Sequence, residues 1–347
     1  MTVCYFGGYN PNNSRNRIFL KGLRIAGVEV LECRDTSIFP LNLLKLFLRH
    51  WKIRKKYNVM LIGFAGQGLT LFAKLIARKP IILDAFVSLY NTVVEDRELH
   101  SKFSLAALYN FFLDWASVRL ADKVLLDTRE HVKYFVSKFK VKESKFAVVP
   151  VGGDDEIFYP RHLPAHEKFI VGFHGTYIPL HGVEYIVQAA RILERENDIE
   201  FRLLGNGQTL DEIKKSAKGL RNVKFYEHRV PYEKLPEFIA QNDICLGIFG
   251  NTLKAKMVIP NKIYECAAMQ KPIITQDSPG IRELFDGNTL MLIRPADAEA
   301  LADAILKLKA DPDYRNNLAR NAFEKFEKFG RAGIIGSKLK TIISELL

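Results

Sequence analysis

The chain has 347 residues, 48% of them hydrophobic and 26% charged, a balance that describes a globular protein of about two domains able to bury substantial cores. No apolar run reaches membrane-spanning length, and the first residues lack the basic stretch and cleavage site of a secretory leader. Cys4, Cys33, Cys245 and Cys266 are scattered without the spacing of a zinc site or a disulfide framework, which suits a reducing, cytoplasmic setting. The net charge of +12 is unevenly held: residues 1–165 carry 25 Lys and Arg against 15 Asp and Glu, and no acid falls between Asp35 and Asp84. That is a positive surface suited to an anionic partner.

In chain order, short β-like runs alternate with helical patterns. The first half places strands at 3–6, 28–32, 59–62, 81–83, 124–126 and 147–149. After VGGDDEIFYP and the polar, proline-containing RHLPAHEK, the pattern restarts at 169–173, 199–203, 223–226, 244–248, 273–275 and 290–293. The alternation predicts an α/β protein of two Rossmann-like, doubly wound domains, residues 1–163 and 164–332, with helices on both faces of each parallel sheet. Residues 311–347 read as two helices broken near Gly330 and Gly336, with the last segment, 333–347, packing back on the first domain. Ligands of such sheets bind at the carboxyl ends of the strands, so the expected site is a cleft shared by the two domains.

Three glycine-containing loops follow strands: FGGYNPNNSRN from Phe6, GFAGQG from Gly63 and FHGTYIPLHG from Phe173. Each suits close approach of backbone to a phosphate, and each equally suits a plain strand-to-helix turn. None has dinucleotide spacing, which argues against a nicotinamide oxidoreductase. LLGNGQ, from Leu203, precedes a second candidate corner, where Arg229 and Val230 lead into a helix opened by Pro231. Such a corner suits a nucleobase held against backbone groups, or a capped turn.

The segment IPNKIYECAAMQKP, Ile259 to Pro272, reads as a helix with a Pro-Asn start running into a buried strand. Lys262 sits in its first turn, where a cation opposes the helix dipole and a bound polyanion would remove the conflict. Lys262 and Glu265 share one face, either lining a cleft or forming a solvated i,i+3 pair. Earlier in the chain, LNLLKLFLRHWKIRKKY sets Leu43, Leu44, Phe47, Leu48 and Trp51 at helical spacing among Lys52, Arg54, Lys55 and Lys56. This reads as an interfacial helix for an anionic membrane surface, against a core-packed helix with a solvated basic face.

Taken together, the N-terminal GG loop with its Arg-bearing helix start, VVPVGGDDEIFYP, GTYIPLHGVEYIVQAARIL, FRLLGNGQ and NKIYECAAMQKPIITQDSPGIREL resemble the GT-B-fold glycosyltransferases of retaining family 4 over essentially the whole chain. The resemblance implies a nucleotide-sugar donor held mainly by the second domain. It further implies transfer, with retention, to an acceptor held mainly by the first, and the interfacial reading of 41–57 adds the expectation of a saccharide or lipid-linked acceptor at the inner face of the membrane. No cofactor and no metal is implied beyond the donor itself, and no compact Asp-x-Asp motif occurs. Carried over by position, donor contacts fall on Gly8, Gly175, Thr176, His181, Gly205, Arg229, Val230, Pro260, Asn261, Lys262 and Glu265. Glu265 matches the second Glu of the Glu-x7-Glu motif, the acceptor for the ribose hydroxyls.

The chain departs from the pattern at four places. Met257 stands at the first motif Glu, His181 where a Lys precedes Gly, Tyr177 near an expected Arg, and Phe86 where relatives place a His. Lys262 is then expected to neutralise the leaving diphosphate, and Asp84 to orient the acceptor hydroxyl or take its proton, or else to cap the next segment. A noncatalytic GT-B protein that binds nucleotide sugars or anionic polymers is the competing expectation. No nucleic-acid recognition signature is present.

Overall fold

The computed structural model describes residues 1–161, 167–227 and 230–347. These form two compact units, one of residues 1–152 with 331–347 and the other of residues 153–330. The boundary expected at 163/164 lies outside the described residues.

The first unit runs β1 (Thr2–Gly7), α1 (Ser14–Ile25), β2 (Glu29–Arg34), α2 (Leu41–Ile53), β3 (Val59–Ile62), α3 (Thr70–Ile76), β4 (Ile81–Phe86), α4 (Leu105–Leu120), β5 (Lys123–Leu126), α5 (Arg129–Phe139) and β6 (Phe146–Val148). Its six strands are all parallel, in the order β2-β1-β3-β4-β5-β6. Parallel strands covered on both faces read as continuous apolar runs, and the β3 sequence VMLI is buried at every position. Because the crossover after β1 moves one way along the sheet and those after β2 to β5 move the other, α1 lies on one face and α2 to α5 lie side by side on the opposite face. Two separate cores show this: Ile18, Phe19 and Leu23 of α1 pack with Tyr5 and Leu61. Leu46, Ala73, Val118 and Phe135, one from each of α2 to α5, pack with Phe6 and Ile62. Polar side chains start the helices, with Asn13 accepting from the Arg15 amide, Ser104 from Ala107 and Thr128 from His131.

The second unit contains β7 (Phe169–His174), α6 (Val183–Ile192), β8 (Ile199–Leu204), α7 (Leu210–Ser216), β9 (Val223–Tyr226), α8 (Leu235–Ala240), β10 (Ile244–Leu246), α9 (Leu253–Met257), α10 (Asn261–Ala268), β11 (Ile273–Gln276), α11 (Pro279–Arg282), β12 (Met291–Ile293), α12 (Ala298–Ala310) and α13 (Pro312–Phe329). Its parallel sheet has the order β12-β11-β10-β7-β8-β9, which reverses direction between β7 and β10. Phe173, Phe201 and Leu246 of the sheet share one core with Ile186 of α6 and Ile305 of α12. All twelve strands fall where the apolar runs place them.

The tail differs from expectation at one glycine. The chain breaks after α13, and α14 (Ala332–Ser344) then runs through Gly336 without interruption. Gly336 is a contact and not a break: a Cβ there would stand 1.9 Å from the Gly22 carbonyl oxygen of α1. Two helix backbones approach closely at this point, and Ile335, Leu339 and Ile343 of α14 complete the core that α1 began.

Candidate functional site

In the second unit the carboxyl ends of β7, β8 and β9 are tied together by backbone bonds. Gly175 N–H donates to the Leu204 carbonyl at 3.0 Å, and Gly205 N–H donates to the Tyr226 carbonyl at 2.9 Å. Gly175 and Gly205 have φ of +150° and +139°, and a Cβ on Gly205 would fall 1.8 Å from the Gly175 carbonyl oxygen. Glycine is therefore required for close approach of the strand exits, while both amides are spent within the protein.

Lys262 and Glu265 lie in α10 with their side chains buried, so they are not a solvated pair. Lys262 Nζ sits 3.8 Å from the centroid of the Phe173 ring and 3.4 Å from the Gly247 carbonyl oxygen. It also stands 2.8 Å from where a Gly175 Cβ would be. Among the described residues no carboxylate comes within ion-pair distance of it. Burial pushes its pKa down from 10.5 to about 7, against the smaller upward pull of the Cys266 and Glu265 charges. Its own helix, α10, is preceded by Pro260 at the N-cap with no side-chain cap and no acid in the first turn, and Pro260 and Asn261 are half-buried. An electropositive start of this kind is completed by an anion.

Glu265 turns the other way, to His174 at the end of β7, whose Nε2 lies 2.9 Å from Glu265 Oε2. With the carboxylate ionised, that nitrogen is the donor. His181, in the single 3-10 turn Pro179–His181, bonds the exposed Thr176 through the Thr176 carbonyl and packs edge-on to Phe173 at 5.8 Å. Burial first, then the Lys262 charge, hold its imidazole well below its ordinary pKa. His181 is therefore a neutral wall and does not replace the absent family Lys as a charge. Met257 is buried, Lys254 of the same helix is buried beside His181, and Lys256 is exposed.

Val230 lines a cavity of about 420 Å³ with Leu204, Tyr226, Pro231 and Phe238 at the carboxyl ends of β8 and β9. Arg229, expected beside it, lies outside the described residues, as does His228.

In the first unit Asp84, expected to orient the acceptor hydroxyl or cap the next segment, is paired with Arg15. Both of its oxygens accept from Arg15, with Nε at 3.1 Å from each and Nη2 at 2.8 Å from Oδ1, and neither side chain is exposed. Arg15 Nη1 donates to the Val149 carbonyl at 2.7 Å, and its guanidinium is sandwiched near the Phe19 and Phe86 rings. Asp84 is thus half of a fully buried ion pair. Phe86, at the position expected for a His, has φ of +59° beside a register shift in the β4–β5 ladder. Gly8 belongs to this unit, in the loop between β1 and α1.

Residues 168–311 match the family described as glycosyl transferases group 1. The second unit carries a glycosyltransferase group 1 domain. The chain is 29% identical over 167 residues to the alpha-D-kanosaminyltransferase of Streptomyces kanamyceticus, which covers 45% of this chain and 40% of that one. It is 24% identical over 235 residues to the D-inositol 3-phosphate glycosyltransferase of Kribbella flavida, covering 61% of this chain and 54% of that one. The matched stretch thus spans about half the length of these curated relatives. Among solved structures, Anabaena HepE in complex with UDP and glucose superposes with a TM-score of 0.75 at 16% identity over 100% of both chains. Sucrose-phosphate synthase from Thermosynechococcus elongatus gives 0.74 at 15% identity over 99% and 98%. The fold of both units is thereby that of the GT-B glycosyltransferases.

Within the group 1 domain, the residue that sequence reasoning missed is His174. Its one signal is its place as the last residue of β7, directly before Gly175, where a side chain meets the ligand edge of a parallel sheet. No cluster of three His, Cys, Asp or Glu side chains is placed to hold a metal among the described residues.

Proposed function

We propose that the chain is a glycosyltransferase that moves a sugar from a nucleotide-sugar donor to a saccharide acceptor, with the donor held by the group 1 domain. The observation that carries this reading is the buried Lys262 ammonium, without a carboxylate partner among the described residues, borne on the uncapped first turn of α10 and beside Gly175. A diphosphate supplies the missing negative charge. As the sugar leaves, charge grows on that diphosphate, and Lys262 together with the helix start stabilises it. Glu265, fixed by His174 through Oε2, accepts from the ribose hydroxyls with its other oxygen. The cavity at Val230 and Tyr226 takes the base. Retention of the anomeric configuration, independence of a metal and a lipid-linked acceptor held by the first unit at the inner membrane face complete the reading.

HepE was solved with UDP and with UDP-glucose, so uridine diphosphate sugars are the first donors to try. The experiment is thermal-shift screening against nucleoside diphosphates and their sugars, followed by product analysis in the presence of EDTA with the anomer assigned by NMR. A chain whose melting point ignores every nucleotide, or a Lys262→Ala variant that responds like the parent, ends the proposal. Met257 at the place of the first motif Glu favours a second reading, a noncatalytic nucleotide-sugar binder. Slow hydrolysis of a bound donor separates the enzyme from the binder.

A further inference from the structure

The outer faces of α2, α3 and α4 expose more apolar surface than a solvated face requires. On α2, Leu41, Leu44, Leu48 and Trp51 form one stripe turned away from the core residues Leu46 and His50. On α4, Leu105, Leu108, Phe112 and Trp115 do the same, and Leu71 and Leu75 of α3 are exposed as well. The three helices pack on one face of one sheet and share one core beneath, so the stripes belong to a single side of the unit. The segments leading into them expose further apolar groups, with Ile38 87% and Phe103 99% accessible. These segments lie at the carboxyl edge of the sheet, since each follows a strand and opens the next helix.

The charge on this side is predominantly positive, with Asp122 exposed 3.4 Å from Lys74 of α3 and Glu98 exposed ahead of α4 as its acids. Lys52, Lys55, Lys56, Arg78 and Lys79 are exposed around the stripes. The single acid within α4, Asp114, is buried and accepts from Ser88 Oγ at 2.6 Å and from the Tyr90 amide at 2.9 Å. Arg54 stacks 3.4 Å from the Trp51 ring centroid, an arrangement that keeps a cation and an aromatic at the same level.

We infer that the α2–α3–α4 face docks the protein on an anionic lipid bilayer; only the purpose of that docking, to reach a lipid-linked acceptor, rests on the function proposed above. Apolar stripes with Lys and Arg gathered at the C-terminal ends of α2 and α3 suit insertion of the stripes among acyl chains with the cations at the headgroups. Tryptophan is at home at that boundary. A second copy of the chain is a poorer occupant, because a two-fold contact would press two faces of like charge together. A nucleic acid would leave the apolar stripes without a partner.

Trp51 and Trp115 are the chain's two tryptophans, and both lie on this face, so the intact protein carries its own reporter. The test mixes the full chain with vesicles of phosphatidylcholine alone or with about one third phosphatidylglycerol, reading flotation and tryptophan emission. Flotation and a blue shift are expected with the anionic vesicles only. A Leu105→Ser/Leu108→Ser/Phe112→Ser variant and a Lys52→Glu/Lys55→Glu/Lys56→Glu variant, each with unchanged melting point, are expected to bind about tenfold more weakly or worse. Absence of binding by the parent, or equal binding by both variants, overturns the inference. So does light scattering that shows a dimer which the Leu and Phe substitutions dissociate while vesicles are ignored, since a second copy then covers the face. Should donor turnover be absent while vesicle binding persists, the glycosyl-transfer reading fails and the docking surface stands.

Discussion

His174 at the end of β7 holds Glu265 of α10, Nε2 to Oε2 at 2.9 Å, with both side chains buried. The contact joins a strand exit to the helix whose first turn carries Lys262, so one hydrogen bond sets the orientation of the carboxylate assigned to the ribose. A charged hydrogen bond of this kind contributes about 1.5–3 kcal/mol. His174→Ala leaves a buried carboxylate without its donor and is expected to weaken nucleotide binding roughly tenfold or more. His174→Gln, which restores an N–H donor of similar reach, should recover part of the loss. Titration calorimetry with the nucleotide that raises the melting point most is the measurement; equal affinities for parent and His174→Ala would detach this histidine from the site.

With the donor diphosphate placed on Lys262 as proposed, donor binding is expected to be sensitive to pH. In the empty protein burial lowers its pKa to about 7, and a diphosphate against Nζ restores the charged form. Binding therefore takes up a proton above that pH. A nucleotide sugar has no phosphate that titrates in this range, so affinity is expected to be greatest below pH 7 and to fall toward tenfold per pH unit above it. Calorimetry in buffers of different ionisation heat counts the proton directly, and uptake of none at pH 8 would contradict the assignment.

Stability shows the same residue with the opposite sign. A base whose folded pKa lies below its unfolded value binds fewer protons when folded, so the empty protein gains stability as pH rises from about 7 toward 10.5. Lys262→Met removes that penalty. The variant should melt higher than the parent near pH 7, with the gap closing at alkaline pH, while losing about 2–3 kcal/mol of donor binding. Scanning calorimetry across pH decides it, and a variant that melts lower at pH 7 would mean that the ammonium is already well satisfied.

At Gly205, where a Cβ would meet the Gly175 carbonyl oxygen at 1.8 Å with φ at +139°, an alanine cannot be relieved by a side-chain shift. Gly205→Ala is expected to destabilise by about 2–4 kcal/mol through displaced backbone and to abolish the nucleotide response. Gly287, with nothing near it, is the control: alanine there should change stability little. Urea unfolding of the two variants makes the comparison, and similar midpoints would show that the strand exits are not locked as described.

Runs such as VMLI and FIVGFH made the parallel strands legible, because strands covered on both faces need no alternation, and the Pro-Asn pair marked where α10 starts. Pairings across long separations were hidden. Arg15 and Asp84 are 69 residues apart, and nothing in either local pattern says that they close on each other. Orientation was hidden too: the spacing of Lys262 and Glu265 shows a shared face, yet one side chain goes to Phe173 and the other to His174. The α4 stripe has the periodicity of a core face and is turned to solvent, since periodicity identifies a stripe without saying what covers it.

The Arg15–Asp84 pair supports the sheet of the first unit, and its removal has a distinctive signature. Burial raises the Asp84 carboxyl above its ordinary value, and Arg15 opposes that rise through its charge and hydrogen bonds. Arg15→Met deletes the opposing influence, so Asp84 must take a proton or stay charged in an apolar site. Removing one partner of a buried pair costs about 3–5 kcal/mol, whereas replacing both with apolar groups is far milder. An acid whose folded pKa is raised destabilises as pH climbs past its unfolded value of 3.8. Arg15→Met should therefore be least harmful near pH 4 and most harmful at neutral pH. Arg15→Met/Asp84→Leu should recover most of the stability, giving a coupling energy of about 2–3 kcal/mol in a double-mutant cycle. That double variant, once folded, should also keep its turnover with donor and acceptor. Rates that collapse in a stably folded Arg15→Met/Asp84→Leu protein would return Asp84 to the chemistry.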